Sequence, residues 1–523
     1  MRKVKKWVLL SMMVFLGLSL VLAGCSTAGE ETSGTGTKSE EATGAKPDAA
    51  GTKSDPAVPE EKKLDPYVID WYIIGTSPQP DNELVEAEIN KIVQPRINAT
   101  VKMHVIPFGD YDTKMTALLA TGEKVDLMFT SNGNMNYSNL VAKGGLVDLT
   151  DKLDELAPEA KALLSEGFLQ ASTIKGRVYT LAAYKEKGSW LGFIANKELM
   201  EKYNIDITKI NSLEDMEPAL KIIKENEPSI TPILASGNAR IPYIVNRHLW
   251  NVSPVQSLVL NKEGSAYTLV LDEPEYIASL HTMHRYFQAG YLRKDSAVMK
   301  ISKDDYAKSA FAFSQLKPYV DVQVSNQYGA PFIFHHFGKP VTTTNDLVGS
   351  MMGIPTNSKD PDRALMFYNM MYHDEELINL VGRGIEGKHY IKTGDKRIEF
   401  PPDTDNGAKS GYNPGTTWAY GNQYLTYLVP GEPDDIWEQF KVFNSESEPV
   451  PNLGFNFDSS ELKTEIAAIK NVETEFRMTL ETGSVNPDEH LPKFKEKLKS
   501  AGIDTVLQEI NKQYEEWKVE NNK

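Results

Sequence analysis

Apolar and polar residues between positions 68 and 129 follow a repeating strand and helix pattern. Short apolar runs predict buried strands, and apolar residues spaced three and four apart predict amphipathic helices between them. The predicted elements are a strand at 68–74, a helix at 84–93, a strand at 101–105, a helix at 115–119 and a strand at 125–129. This β-α-β-α-β order predicts a parallel sheet with right-handed crossovers, and such sheets bind ligands at the carboxyl ends of their strands.

The segments that follow the first and third predicted strands are short, polar and contain glycine. They cover residues 75–78 and 130–134. Because they lie at the carboxyl ends of strands, we expect Ser77, Asn132 and Asn134 to contact a ligand. Each of these residues is also a common turn residue, so an ordinary structural role stays open for each.

Beyond position 175 the pattern predicts strands and helices in mixture, and then mostly helices. The predicted segments are a strand at 176–181, an aromatic loop at 184–190, mainly helices at 196–291, a strand at 331–334, a helix at 361–380 and mainly helices at 459–522. A break at 483–487 contains Gly and Pro, which interrupt helices. The chain is therefore predicted to be an α/β protein with a helical C-terminal tail.

The chain opens with a basic segment and an uncharged apolar run. The run covers residues 7–22 and is typical of a secretory signal, because it is shorter than the about 20 residues that span a membrane. It leads through Leu22, Ala23 and Gly24 into Cys25, the only cysteine of the chain, and this tetrapeptide resembles the lipobox of bacterial lipoproteins. The resemblance implies cleavage before Cys25 and lipidation of its thiol, which leaves no cysteine for disulfides, thiolate catalysis or zinc binding.

Composition and charge narrow the classes of partner. Residues 26–63 are rich in Gly, Ser, Thr, Ala, Lys, Glu and Pro and predict a disordered linker. The net charge is −16, and removal of the signal leaves 52 basic and 72 acidic residues, or −20. This charge argues against nucleic acid and anionic lipid as partners. A chain of this length after the linker exceeds one ordinary core, so two or more lobes are expected.

Several segments together resemble the family 1 extracellular solute-binding proteins. Those segments are 126–129, 175–179, 196–200 and 384–390, and they occur after the lipobox and the β-α-β-α-β start. The tail, at 465–469, 480–483, 501–504 and 513–517, resembles a C-terminal domain of unknown function found in some Gram-positive lipoproteins of this kind. The resemblance implies a periplasmic-binding-protein-like type II fold, with two α/β lobes joined by hinge crossovers and a helical C-terminal tail.

The resemblance also implies a division of the chain. The expected parts are a signal peptide at 1–24, the lipidated Cys25 and linker at 25–64, lobe 1 at 65–183 plus about 336–374, lobe 2 at about 184–335 plus 375–450, and a C-terminal domain at 451–523. Such a protein is implied to be a monomer, lipid-anchored on the extracytoplasmic face of the cell membrane. It would capture a carbohydrate, usually an oligosaccharide, and deliver it to the permease subunits of an ABC importer.

Loop aromatics and amides are the candidate ligand contacts, because sugar rings stack on aromatic side chains while their hydroxyls need polar partners. Trp190 and Trp418 fall in predicted loops, although core packing of either indole stays an equal alternative. The predicted ligand contacts are Ser77, Asn132, Asn134, Tyr184, Trp190, Arg383, Glu386, Trp418, Asn422 and Gln423.

Motifs for catalysis, cofactors and metals are weak. Residues 382–387 match G-x-G-x-x-G, but a predicted helix precedes them where a dinucleotide site needs a strand. His281 and His284 share a helical face without a carboxylate at zinc spacing, and His335 and His336 add no such partner. We therefore expect no catalytic residue, cofactor or metal. Two alternatives stay open: a glycoside-cleaving lipoprotein, and a sensory co-receptor that presents its ligand to a membrane kinase.

Overall fold

The computed structural model describes residues 64–165, 167–236, 240–252, 254–405, 407–521 and 523. The predicted signal peptide, Cys25 and the linker lie outside the described residues. The strands are β1 (Tyr67–Ile74), β2 (Ala99–Ile106), β3 (Leu127–Thr130), β4 (Thr173–Ile174), β5 (Arg177–Val178), β6 (Thr180–Ala182), β7 (Trp190–Asn196), β8 (Thr231–Leu234), β9 (Asn251–Val252), β10 (Val255–Leu260), β11 (Tyr267–Leu269), β12 (Ser309–Leu316), β13 (Phe332–His336), β14 (Val341–Thr342), β15 (Met351–Gly353), β16 (Ile391–Lys392), β17 (Ile398–Glu399) and β18 (Glu448–Pro449).

Helices make up most of the remaining regular structure. They are α1 (Asn82–Ile97), α2 (Tyr111–Thr121), α3 (Tyr137–Ala142), α4 (Leu153–Leu156), α5 (Pro158–Leu164), α6 (Phe168–Ser172), α7 (Lys197–Lys202), α8 (Leu213–Asn226), α9 (Ile241–Val245), α10 (Pro274–Gln288), α11 (Lys303–Ala307), α12 (Val320–Tyr328), α13 (Thr344–Val348), α14 (Pro361–Met370), α15 (Glu375–Arg383), α16 (Ile436–Glu446), α17 (Lys463–Glu481), α18 (Pro487–Ser500) and α19 (Ile503–Glu520). Within the described ranges, none of them combines the length and apolarity required to cross a lipid bilayer.

The first lobe is built on a five-stranded sheet in the order β2-β1-β3-β15-β6. Strand β1 is parallel to β2 and β3, whereas β15 is antiparallel to β3 and β6. Ile69, Trp71 and Ile73 are fully or almost fully buried, because helices cover the sheet and its central strands need apolar residues. The predicted β-α-β-α-β start is confirmed by β1, α1, β2, α2 and β3.

The second lobe contains a four-stranded sheet in the order β13-β7-β12-β8. Strand β7 pairs antiparallel with both β12 and β13. Trp190 begins β7 opposite Leu316, so the prediction that Trp190 lies in a loop is wrong. The reason is that the buried run after Trp190 extends the strand back to it. Gly192 allows β13 to approach closely, since a Cβ at this position would lie 2.1 Å from the carbonyl oxygen of His335.

Three chain segments connect the two lobes and pair with one another. Ser189 and Val341 exchange backbone hydrogen bonds of 2.8 and 2.9 Å. Strand β14, which contains Val341, is also parallel to β18 of the third segment. These paired connections are the hinge crossovers predicted for the fold.

The core of the first lobe reaches further along the chain than the segments expected for lobe 1. Leu377, Ile378 and Val381 of α15 pack into it, together with Tyr412 and Tyr420. Residues after position 374 therefore contribute to this core, because the amphipathic face of α15 packs against α1.

The last three helices have no separate core. Their buried side chains share one apolar cluster with β10, β11 and α10. Leu258 and Leu280 from the second lobe lie in this cluster with Leu480, Phe494 and Val506 from α17, α18 and α19. The helical tail was predicted correctly, and the structure joins it to the second lobe.

Candidate ligand-binding cavity

A cavity of about 490 Å³ lies where both lobes, the connecting segments and the C-terminal region meet. This volume is typical of small-molecule binding sites. The first lobe contributes the turn after β3 and helix α3, and the second contributes residues around α9, β9 and β12. The remaining wall comes from the start of α13 and from the irregular chain before α17.

Amide side chains form a large share of the polar part of the lining. They are Asn132, Asn136, Asn139, Asn251, Gln315, Asn345, Asn452 and Asn456. Hydroxyl groups of Ser, Thr and Tyr accompany them. An amide offers both a donor and an acceptor, so such a lining matches ligand groups that also donate and accept, such as hydroxyls.

Aromatic side chains contribute to the apolar part of the lining, beside aliphatic residues such as Leu191 and Ile244. The aromatic residues are Tyr243, Trp250, Tyr306, Phe313, Phe455 and Phe457. Tyr306 is held by stacking on Tyr328, with ring centroids 3.8 Å apart. Trp250 is half-buried at the entry to β9, between the cores of the second lobe and the C-terminal helices. Flat apolar faces beside amides are the combination that a sugar ring requires.

Arg240 is the one charged side chain among the described residues of the lining. Its guanidinium lies over the ring of Tyr243, 4.5 Å from the centroid. Its Nε is buried and has no hydrogen-bond partner among the described residues. Burial raises the pKa of Tyr243, so its hydroxyl stays neutral. The described lining contains no Asp and no Glu.

The turn after β3 holds its amides by local hydrogen bonds. The hydroxyl of Ser131 accepts from the backbone N–H groups of Gly133 and Asn134 at 3.0 and 2.8 Å. Asn132 Nδ2 then donates to Asn345 Oδ1 at 2.5 Å, which joins the first lobe to the start of α13. Both amides of this pair line the cavity.

Of the ten predicted ligand contacts, all within the described ranges, Asn132 lines the cavity. Asn134 lies in the same turn, where its Nδ2 donates to Asp112 at 3.2 Å. Ser77 is half-buried at the end of β1. These two keep a ligand role only as a prediction.

The two leading tryptophans lie outside the lining. Trp190 stacks on His336 at 4.4 Å and contacts Phe443 edge-on at 4.6 Å. Trp418 does lie in a loop, where it stacks on Phe108 with centroids 6.4 Å apart. Phe108 is 50 % exposed, so this second aromatic pair reaches solvent at the carboxyl end of β2.

Other predicted residues form hydrogen bonds within the protein. Asn422 is buried, donates to the carbonyl of Tyr372 at 3.2 Å and accepts from the backbone of Tyr424 at 3.1 Å. The backbone N–H of Gln423 donates to the carbonyl of Tyr184 at 2.9 Å. These contacts tie the loop to the first lobe.

Arg383 and Glu386 lie near the C-terminal end of α15. Burial lowers the pKa of Arg383, whose Nη2 donates to the carbonyl of Tyr427 at 3.4 Å. Glu386 is exposed. As expected for a chance match to the dinucleotide motif, a helix precedes this segment.

Most of the residues that line the cavity were not predicted from the sequence. One signal was present: residues 455–457 place an amide between two aromatic residues a few positions before α17. Arg240 and Trp250 carried no comparable signal, because their approach to the cavity depends on the packing of the second lobe.

A group of three possible metal ligands lies outside the cavity lining. Ligand atoms of His248, Glu273 and Glu275 lie within 4.8 Å of one another. Lys262 forms an ion pair with Glu275, and the hydroxyl of Thr268 donates to Glu273 at 2.9 Å. A lysine ammonium thus already pairs with one of the carboxylates that a metal would require.

Comparison with known proteins gives two family matches. The pattern described as bacterial extracellular solute-binding protein matches residues 79–377, which is more than half of the chain. A domain of unknown function, DUF3502, matches residues 451–519. A carbohydrate ABC transporter substrate-binding protein of Streptococcus pneumoniae is 31% identical over 462 residues, covering 87% of this chain and 91% of the relative.

Solved structures resemble the chain over the same length. The N-glycan transport solute binding protein NgtS of Streptococcus pneumoniae is 26% identical, covers 87% of this chain and 100% of its own, and has a TM-score of 0.76. Its complex with Man5GlcNAc, at 26% identity, covers 87% of this chain and 99% of its own, with a TM-score of 0.66. By the extent of the family match and the identity to its relative, this chain belongs to the bacterial extracellular solute-binding proteins.

Proposed function

We propose that the chain binds a neutral oligosaccharide in the cavity and delivers it to the permease of an ABC importer. The observation that carries this proposal is the lining of amides, hydroxyls and aromatic rings without a carboxylate among its described residues. A polyamine or a cationic peptide would need carboxylates, which the described part of this lining does not offer.

The relatives support the proposed class of ligand. The similar protein from Streptococcus pneumoniae is a carbohydrate ABC transporter substrate-binding protein, and NgtS is an N-glycan transport protein with a solved Man5GlcNAc complex.

The same lining supports binding without cleavage. Most glycoside hydrolases use two carboxylates on either side of the scissile bond, about 5 to 10 Å apart. Neither carboxylate is found among the described residues of the cavity. We therefore propose that the bound sugar is released unchanged.

A sugar-binding screen tests this function. Purified protein is mixed with monosaccharides, with neutral oligosaccharides including Man1GlcNAc and Man5GlcNAc, and with spermidine as a cationic control. At 100 times its dissociation constant, the correct oligosaccharide is expected to add about 2.7 kcal/mol to the free energy of unfolding, seen as a higher melting temperature. Binding of spermidine alone, or the appearance of cleavage products on chromatography, would contradict the proposal.

We also propose that the mature chain is a monomer held on the extracytoplasmic face of the membrane by lipids on Cys25. Two acyl chains anchor a protein stably, at about 0.8 kcal/mol for each buried CH₂. Cys25→Ala is expected to leave the protein unprocessed or to release it into the soluble fraction, measured by immunoblot after fractionation. Ser26→Ala is the matched control and should stay anchored. Normal cleavage and membrane retention of Cys25→Ala would refute the anchor.

A further inference from the structure

The C-terminal domain contributes directly to the cavity wall. The match to the domain of unknown function begins at residue 451, so every wall residue from this position onward belongs to it. These wall residues are Asn452, Phe455, Asn456, Phe457 and Ser459. They lie in irregular chain between β18 and α17, and we refer to residues 452–459 as the wall segment.

Helix α19 fixes the wall segment from one side. Phe455 contacts Tyr514 and Trp517 edge-on, with centroids 5.1 and 5.8 Å apart. The backbone N–H of Asp458 donates to Gln513 Oε1 at 2.9 Å. The position of the wall segment is therefore set by the helical part of the same domain.

Contacts on the other side reach the first lobe and the connecting segment. The backbone N–H of Gly454 donates to Thr344 Oγ1 at 2.9 Å. Asn456 Nδ2 donates to the carbonyl of Ala171 at 3.3 Å. The wall segment thus contacts the first lobe and the connecting segment, while its Phe455 and Phe457 lie in the apolar cluster that the C-terminal helices share with the second lobe.

Asn452 has an unused acceptor in this wall. The residue is only 8 % exposed, and its Nδ2 donates to the hydroxyl of Tyr267 at 2.8 Å. Its Oδ1 is buried and has no hydrogen-bond partner among the described residues. Because a buried acceptor without a partner is unfavourable, and because Asn452 lines the cavity, a donor supplied by a ligand hydroxyl would be favourable here.

The C-terminal domain also contacts residues that support Tyr243, which lines another part of the cavity. Glu481 at the end of α17 accepts a hydrogen bond from the hydroxyl of Tyr276 at 3.1 Å. The ring of Tyr276 packs edge-on against Tyr243, with centroids 5.3 Å apart, and Tyr243 lines the cavity beneath Arg240. Glu481 is therefore a positioning residue for this part of the lining.

We propose that the C-terminal domain is a part of the ligand site. Asn452 accepts a hydrogen bond from a ligand hydroxyl, and Asn456 together with the phenyl groups of the wall segment completes the contact surface. This inference rests on the proposed function, since it takes the ligand to be a neutral oligosaccharide bound in this cavity.

Isothermal titration of single variants tests the proposal. The probe is Man5GlcNAc, or the tightest binder of the screen if that is another oligosaccharide. Asn452→Ala and Asn456→Ala are each expected to raise the Kd about tenfold, the change that corresponds to one hydrogen bond of about 1.4 kcal/mol. Circular dichroism and the melting temperature report whether each variant is folded.

Two control variants separate ligand contact from structural damage. Tyr267→Phe removes the structural hydrogen bond of Asn452 but leaves its Oδ1, so we expect a lower melting temperature with a Kd within about twofold of wild type. Asn471→Ala changes an exposed amide of α17 and should alter neither quantity.

The outcomes distinguish this inference from the proposed function. If the wild-type protein binds the oligosaccharide and both Asn452→Ala and Asn456→Ala bind it with the same Kd, the inference is overturned and the proposed function stays intact. A wild-type protein that binds no oligosaccharide of the screen would overturn the proposed function, and the inference with it. A tenfold loss in Asn456→Ala supports the inference even if Asn452→Ala does not fold.

Discussion

Replacing Glu481 by alanine is expected to lower the free energy of unfolding by about 3 to 5 kcal/mol, because it leaves a buried guanidinium unpaired. Glu481 is 2 % exposed, and its carboxylate accepts from Arg477 Nη1 at 3.1 and 3.3 Å. Burial raises the pKa of Glu481, while the charge of Arg477 opposes that shift. The pair lies where α17 packs against the second lobe, so its loss weakens the shared core.

Chemical denaturation followed by circular dichroism measures this effect. A double variant, Arg477→Met with Glu481→Leu, removes both charges and is expected to be more stable than Glu481→Ala. The matched control is Glu438→Ala, which breaks an exposed pair with Lys441 and should cost less than about 1 kcal/mol. A loss in Glu481→Ala no larger than that of Glu438→Ala would show that the buried pair does not hold the domain.

Trp250→Ala is expected to weaken oligosaccharide binding by about 2 to 4 kcal/mol, a range set by aromatic residues at the centre of binding sites. The indole is half-buried and lines the cavity, and aromatic rings are the side chains on which sugar rings stack. Calorimetric titration gives the affinity, and circular dichroism checks the fold. An unchanged affinity in a folded Trp250→Ala protein would remove this residue from the site.

Trp190→Ala and Trp418→Ala are the comparison variants for Trp250→Ala. Both tryptophans were predicted as ligand contacts from the sequence, and neither lines the cavity. We expect a smaller loss of affinity in each than in Trp250→Ala. A loss in Trp418→Ala as large as that in Trp250→Ala would extend the site along the first lobe toward Phe108.

The first lobe could be predicted because its signals are local. The apolar run of β1 and the helical spacing of Val85, Ile89 and Val93 are set by neighbouring residues, and the structure buries all three of these side chains. The position of Asn132 at the cavity depends on the same kind of local signal, since it lies two residues after the end of β3.

The rest of the cavity is set by long-range packing. Arg240 and Asn452 are more than two hundred positions apart. Arg240 reaches the cavity because α9 packs on α10, β7 and β12, and Asn452 reaches it through its hydrogen bond to Tyr267 of β11. Neither residue lies in a periodic pattern that indicates its neighbours. Trp190 was misplaced for a related reason: the polar residues before it suggest a loop, but pairing with β12 extends the strand to it.

The shared core of the C-terminal helices has a consequence for engineering. A chimera that takes residues 451–519 from another receptor would place foreign helices against Leu258 and Leu280. These two side chains pack against the native C-terminal helices. Such a graft would leave cavities or clashes at the seam, and both are costly in packed interiors. Exchange of sugar preference by this route should therefore succeed only when β10, β11 and α10 are transplanted together with the tail as one block.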